Sequence, residues 1–134
     1  MSELTNLEMI QKAKTVLRPR KLSFENTAGD VTCALLSSSG ALYFGVCIDV
    51  GSGIGFCAEH SAIAAMITAG ESSISKIVAV WGNGTVLPPC GRCREFMYQI
   101  DKTNLTTTDV ILVENSVVKL KDLLPHPYDE VWNK

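Results

Sequence analysis

Residues 77–93 read IVAVWGNGTVLPPCGRC, and the architecture of the chain can be worked out from this segment. Its first five residues form a short, continuous apolar run, which is typical of a strand covered on both faces. A second run of this kind extends from Val110 to Val113, and Pro88-Pro89-Cys90 marks the start of a helix between the two. The segment therefore predicts a βαβ unit.

The residues before this unit predict a hairpin and a buried helix. Two strand-like runs at 31–36 and 41–50 are joined by Ser37-Ser38-Ser39-Gly40, which is turn chemistry at hairpin length. Residues 57–69 are apolar on most of a helical circumference and end at Gly70. We therefore expect one α/β domain over residues 1–134, with a mixed sheet.

Both ends of the chain also predict helices. Thr5 followed by Glu8 is a capping box, and the helix that it opens is expected to end at Pro19. Leu120, Leu123 and Leu124 indicate a last short helix before Pro125.

The composition of the chain narrows the classes of partner that it is expected to bind. The chain has 134 residues, 46% of them hydrophobic, and its net charge is −2 from 12 basic and 14 acidic side chains. It therefore has no basic field for nucleic acid, and small molecules are the better expectation. The longest apolar runs are about ten residues, too short to span a membrane. Because the sequence starts Met-Ser-Glu rather than with an export signal, we expect a cytoplasmic protein.

Cysteine is the unusual residue type. An odd count without an export signal favours thiols or metal ligands over disulfides. The five cysteines are Cys33, Cys47, Cys57, Cys90 and Cys93.

Three of these cysteines fall at predicted helix starts. Alone, the Cys90-x-x-Cys93 pair fits a redox dithiol, half of a structural zinc site or chance. Cys57 at the start of the preceding helix argues against the redox dithiol. We expect the helix dipoles to lower the pKa of all three thiols and so to favour metal binding. Since no fourth ligand stands at a natural spacing, the pattern indicates a zinc site with one open position, as in catalytic sites.

Glu59 lies two residues past Cys57, so its carboxylate can stand beside this open position and transfer protons. Three thiolates would leave a zinc site with a net negative charge. Arg92 and Arg94 flank Cys93, and one of them is expected to compensate that charge; the alternative is that both are simply solvated.

The combination of Cys57-Ala58-Glu59 with Pro89-Cys90-Gly91-Arg92-Cys93, on two helices separated by a strand, resembles the cytidine deaminase family. The resemblance implies a three-layer α-β-α fold with a mixed five-stranded sheet, and a homotetramer. It also implies Zn²⁺ held by Cys57, Cys90 and Cys93, with Glu59 as the proton shuttle. The implied reaction is hydrolytic removal of the cytosine 4-amino group of cytidine or deoxycytidine as ammonia.

The chain departs from the family pattern on the substrate side. Cys47-Ile48-Asp49 stands where the family usually has Asn-x-Glu to hold the sugar, which makes Cys47 and Asp49 the candidate sugar contacts. Gly29 stands near the place of a base-stacking phenylalanine, and His60 stands where an arginine commonly follows the glutamate.

The C-terminal tail indicates another substrate. Leu123-Leu124-Pro125 with Tyr128 and Trp132 is similar to the end of the fungal blasticidin S deaminases. Tyr128 and Trp132 would then close over a cytosine joined to a modified sugar, or else they only pack the tail onto the sheet. A zinc-stapled binding module without catalysis, and an editor of polynucleotides, are the alternatives of other classes.

Overall fold

The computed structural model of the chain describes residues 4–132. Within these residues the helices are α1 (Asn6–Lys14), α2 (Ala58–Thr68), α3 (Gly91–Ile100), α4 (Asn104–Thr107) and α5 (Leu120–Leu123). The strands are β1 (Arg20–Lys21), β2 (Thr27–Ser37), β3 (Leu42–Asp49), β4 (Ile74–Trp81), β5 (Val86–Leu87), β6 (Asp109–Val113) and β7 (Ser116–Lys119). None of the helices in this part of the chain is long and apolar enough to cross a bilayer.

The strands form one mixed sheet. Its main path runs β1-β2-β4-β6-β7, with β3 paired to β2 and β5 paired to β4. β2 and β3 are antiparallel, which confirms the hairpin, and β4 and β6 are parallel on either side of α3, which confirms the βαβ unit. Five strands have four or more residues, as the family fold implies, and the two-residue strands β1 and β5 bring the described sheet to seven.

Helices cover both faces of the sheet, because each strand alternates its apolar side chains between them. On one face, Leu35 and Ile77 pack in a cluster with Ile63 of α2 and Met97 of α3. On the other face, residues at alternate strand positions pack against α1 in a second cluster, which includes Met9, Ala34, Leu36, Val78 and Ile111. The result is the expected three-layer α-β-α arrangement.

The first helix begins as predicted and ends early. Thr5 Oγ accepts from Glu8 N–H at 3.1 Å and Glu8 Oε1 accepts from Thr5 N–H at 2.8 Å, so the capping box is confirmed. The helix ends at Lys14, before the expected Pro19. Thr32 of β2 donates to Ala13 O at 2.7 Å, so a tertiary contact takes part in ending the helix there.

Helix α2 lies directly against the backbone of β3. A Cβ atom on Gly45 would be 2.2 Å from Ala62 N and 2.4 Å from Ala58 O, so only glycine permits this approach. Ser61 Oγ also donates to Val46 O at 2.7 Å. These contacts fix the position of the first turn of α2 relative to the sheet.

We expect Gly45→Ala to lower the free energy of unfolding by about 3 kcal/mol, at the upper end of overpacking costs, because the two nearest atoms in its way, Ala62 N and Ala58 O, belong to the backbone of α2. Urea unfolding at a fixed zinc concentration measures this change. Gly51→Ala is the matched control, since a Cβ there meets no atom within 4 Å. Equal stability of the two variants would show that α2 can retreat from β3 at little cost.

Candidate metal centre and active site

The starts of α2 and α3 bring three thiols together. Cys57 and Cys90 are the N-cap residues of the two helices, and Cys93 lies in the first turn of α3. The Sγ atoms of Cys57 and Cys90 are 3.6 Å apart, those of Cys90 and Cys93 are 3.5 Å apart, and all three lie within 4.8 Å of one another.

This donor set fits a zinc ion. Tetrahedral coordination with Zn–S bonds of about 2.3 Å places sulfur atoms roughly 3.8 Å apart, close to the observed separations. Within residues 4–132 the cluster has three members, so a four-coordinate ion would keep one position for a ligand from outside the protein.

The protonation of the thiols differs from the sequence expectation. Burial raises the pKa of Cys93 and of Cys57, and the nearby Glu59 carboxylate acts in the same direction. Burial also disfavours the Cys90 thiolate, but hydrogen bonds from Cys93, from Cys57 and from the backbone of Arg92 together outweigh it and lower the Cys90 pKa. The prediction that helix dipoles lower all three pKa values is therefore wrong for Cys57 and Cys93. A metal that binds here must displace protons.

Glu59 stands beside the thiols in the lining of a cavity. It is the second residue of α2 and only 5% exposed, and burial raises the pKa of its carboxyl group. It is hydrogen-bonded to Cys93 and lines a cavity of about 590 Å³ together with Cys57, Ala79 and Cys90. A buried carboxylate next to an open metal position is placed to move protons.

His60 is a site residue whose role the sequence analysis missed. Its Nδ1 lies 3.4 Å from Cys93 Sγ, and its ring stacks on Phe96 with centroids 4.3 Å apart and an 8° interplanar angle. Burial and the charge of Arg92 lower the His60 pKa, so the ring favours its neutral form. A neutral ring protonated on Nδ1 can donate to the Cys93 sulfur. The sequence contained one signal for a site role of His60. His60 follows Cys57 by three residues, a spacing that brings two side chains to the same side of a helix.

The two candidate arginines, Arg92 and Arg94, have different surroundings. Arg94 Nε donates to Pro89 O at 2.8 Å and a second guanidinium nitrogen donates to Leu123 O at 3.4 Å, so Arg94 ties the segment before Cys90 to α5. Arg92 instead lines the cavity.

The structure separates the four candidate substrate-binding residues into two pairs. Cys47 and Asp49 both line the cavity. Cys47 Sγ accepts from Val31 N–H at 3.3 Å and donates to Asp49 Oδ2 at 3.5 Å, so the thiol already has partners. Tyr128 and Trp132 form an exposed edge-to-face pair, with centroids 5.1 Å apart, and are not among the cavity-lining residues of the described chain.

Comparison with known proteins finds cytidine deaminases both among curated sequences and among solved structures. No family model matches the chain. Two curated cytidine deaminases of Mycobacterium tuberculosis strains are each 31% identical to it over 101 residues, which is 73% of this chain and 71% of theirs. The solved cytidine deaminase from Burkholderia pseudomallei superposes with a TM-score of 0.74 at 26% identity and covers 93% of this chain and 100% of its own. The Mycobacterium tuberculosis structure gives a TM-score of 0.69 at 26% identity, covering 92% and 94%.

These matches, with the fold and the buried carboxylate beside the thiols, define an enzyme of the aminohydrolase class, a hydrolase that removes an amino group. With 31% identity across 73% of its length, the chain belongs to the cytidine deaminase family.

We expect purified protein to contain about one zinc ion per chain, since three thiolates and one open position are the requirements of a catalytic zinc site. Cys93→Ser should reduce the zinc content to a small fraction of that value, as measured by atomic emission on gel-filtered protein. Cys33→Ala removes a buried cysteine outside the cluster and should keep its zinc. Active protein with far less than one zinc per chain would exclude this metal assignment.

Proposed function

We propose that the protein catalyses zinc-dependent hydrolytic deamination of the cytosine 4-amino group of a nucleoside or nucleoside-like compound, releasing ammonia. One observation carries the proposal: Glu59 is buried in the lining of a cavity of about 590 Å³, beside three thiols spaced for zinc. The cytidine deaminases that the chain resembles support the choice of cytosine as the base.

In this mechanism Cys57, Cys90 and Cys93 would hold the zinc ion, which would supply Lewis-acid chemistry at the site. The Glu59 carboxylate accepts a proton from water and later delivers one to the leaving amine. Arg92, which lines the cavity, offsets the negative charge of the thiolates. His60 holds the Cys93 sulfur in place through Nδ1. Such positioned proton transfer contributes about 10²–10⁴ in rate.

On the sugar side, Asp49 is the proposed acceptor for a substrate hydroxyl group. Cys47 supports it indirectly, because its thiol donates to Asp49 Oδ2 and accepts the Val31 N–H. This division of roles follows from the contacts of Cys47, whose sulfur is already engaged.

A second candidate is a blasticidin S deaminase, an enzyme of antibiotic resistance. Its support is the sugar side of the cavity, where Cys47-Ile48-Asp49 departs from the usual pair, and the exposed aromatic pair Tyr128 and Trp132 near the end of the chain. In this proposal the two rings contact the modified sugar of a substrate held at a subunit contact.

We also propose a homotetramer. Its support in this chain is the outward face of α2, where Ala64, Ala65 and Ile67 are exposed. Sedimentation equilibrium measures the subunit number, and a monomer at micromolar concentration would refute the tetramer.

A substrate panel tests the reaction and separates the two candidates. We expect loss of cytosine absorbance and release of ammonia with cytidine and deoxycytidine, because the site provides both zinc ligands and a proton carrier. A higher kcat/KM for blasticidin S than for either nucleoside would favour the second candidate. Zinc-loaded protein that deaminates none of the three compounds would refute the proposed function.

We expect Glu59→Gln to lower kcat by about 10²–10⁴, because the amide cannot carry the proton. Zinc content should stay unchanged, since Glu59 is not one of the three thiol donors. Glu25→Gln, at an exposed glutamate away from the cavity, is the matched control. Full activity of Glu59→Gln would refute the proton-transfer role. If zinc only stabilises the fold of a binding module without catalysis, wild type, Glu59→Gln and Glu25→Gln should all lack deaminase activity.

A further inference from the structure

Trp81 lines the candidate active-site cavity at the end of β4 and is 50% exposed. Its backbone is held on both sides: Trp81 N–H donates to Thr85 O at 2.8 Å, and its carbonyl accepts from Gly84 N–H at 2.7 Å. The β-strand register also pairs it with Val31 of β2. A large aromatic side chain is therefore presented to the cavity from a fixed backbone.

The pleat of β4 directs this ring to the side of the sheet where Glu59 lies. Ala79 is two residues before Trp81, so the two side chains share a face and are about 6.6 Å apart along the strand. Ala79 lines the cavity together with Glu59. Glu59, the small Ala79 and Trp81 therefore line the same cavity of about 590 Å³, which has room for a flat molecule.

Within residues 4–132, no aromatic ring pairs with the indole of Trp81. Among residues 4–132 the ring pairs are His60 with Phe96 and Tyr128 with Trp132. The start of β2 offers no competing ring, because Gly29 has φ +84° and a Cβ there would be 2.2 Å from Arg18 O. Apart from Trp81, the aromatic residue that lines the cavity is Phe56, whose backbone is bonded to Ile48 in both directions at 3.0 Å.

We propose that Trp81 is the residue on which the pyrimidine ring of the substrate stacks, and that it thereby sets the affinity of the site for the base. The inference rests on the proposed function for the identity of the base. Under this proposal the pyrimidine ring is recognised at the end of β4, whereas the reaction takes place at the starts of α2 and α3. Base–aromatic stacking accepts any flat ring, so Trp81 selects for aromatic character rather than for a hydrogen-bonding pattern.

A kinetic test follows from the nature of stacking, which stabilises bound substrate and transition state alike. Trp81→Ala should raise KM for cytidine roughly 5- to 150-fold, the range of stacking contributions, while kcat changes by less than about threefold. Trp81→Phe should retain most of the affinity because it keeps a ring. Phe24→Leu, at an exposed aromatic outside the cavity, is the matched control and should leave KM unchanged.

A binding test needs no substitution at Trp81. The chain has two tryptophans, so Trp132→Phe leaves Trp81 as the only one. Uridine, which has no amine to lose, should quench the fluorescence of this variant in a saturable way. With cytidine far below its KM, the midpoint should match the uridine concentration that half-inhibits cytidine turnover.

The outcomes separate this inference from the proposed function. Emission that stays constant, in a variant that deaminates cytidine and is inhibited by uridine, would overturn the role of Trp81 and leave the reaction intact. An equal KM for Trp81→Ala and wild type would do the same. Quenching by uridine in zinc-loaded protein that deaminates nothing would support the stacking role and refute the reaction.

Discussion

The candidate site depends on the backbone contact between α2 and β3. Gly45 lets the helix approach until Ala58 and Ala62 meet the strand, and Ser61 adds a hydrogen bond to Val46 O. Any side chain at Gly45 would push the start of α2 outward, and Cys57 and Glu59 would move with it. The sulfur positions that fit a tetrahedral ion therefore depend on a glycine that contributes no chemistry of its own.

Burial then explains the composition of the site. A carboxylate and thiolates that leave water lose solvation, and an unpaired buried charge is expensive. The raised pKa values of Glu59, Cys57 and Cys93 express this cost. A divalent cation lowers this cost of burying negative charge. The first-turn N–H groups of the two helices and the imidazole of His60 lower it as well. The site is therefore best satisfied with a metal present, and the same desolvation that disfavours the free thiolates strengthens the attraction of the cluster for a cation.

The sequence predicts the elements and the thiol cluster well, because both are encoded locally. The capping box of α1, the hairpin, the βαβ unit and the three cysteines at helix starts all follow from short spacings, and the structure confirms each of them. The sequence predicts the end of α1 too late and the pKa directions of Cys57 and Cys93 wrongly, and it does not predict the contact of His60 with Cys93 and Phe96. Each of these depends on burial or on residues distant in sequence, which local patterns do not report.

The groups proposed for the chemistry and the groups proposed for substrate recognition lie on different kinds of structural element. The groups proposed for the chemistry stand at the N-caps and in the first turns of helices, where N–H groups and dipoles have fixed directions and favour anionic ligands of a metal. The groups proposed to recognise substrate stand where strands end or change register. Residues between Ala28 and Thr32 interrupt the β2–β3 pairing, and Trp81 ends β4 at a turn. Strand ends and bulges can change the direction of a side chain without moving the helices. The proposed zinc chemistry can therefore be combined with different recognition groups, and Cys47, Asp49 and Trp81 are the positions where we propose that this chain uses that freedom.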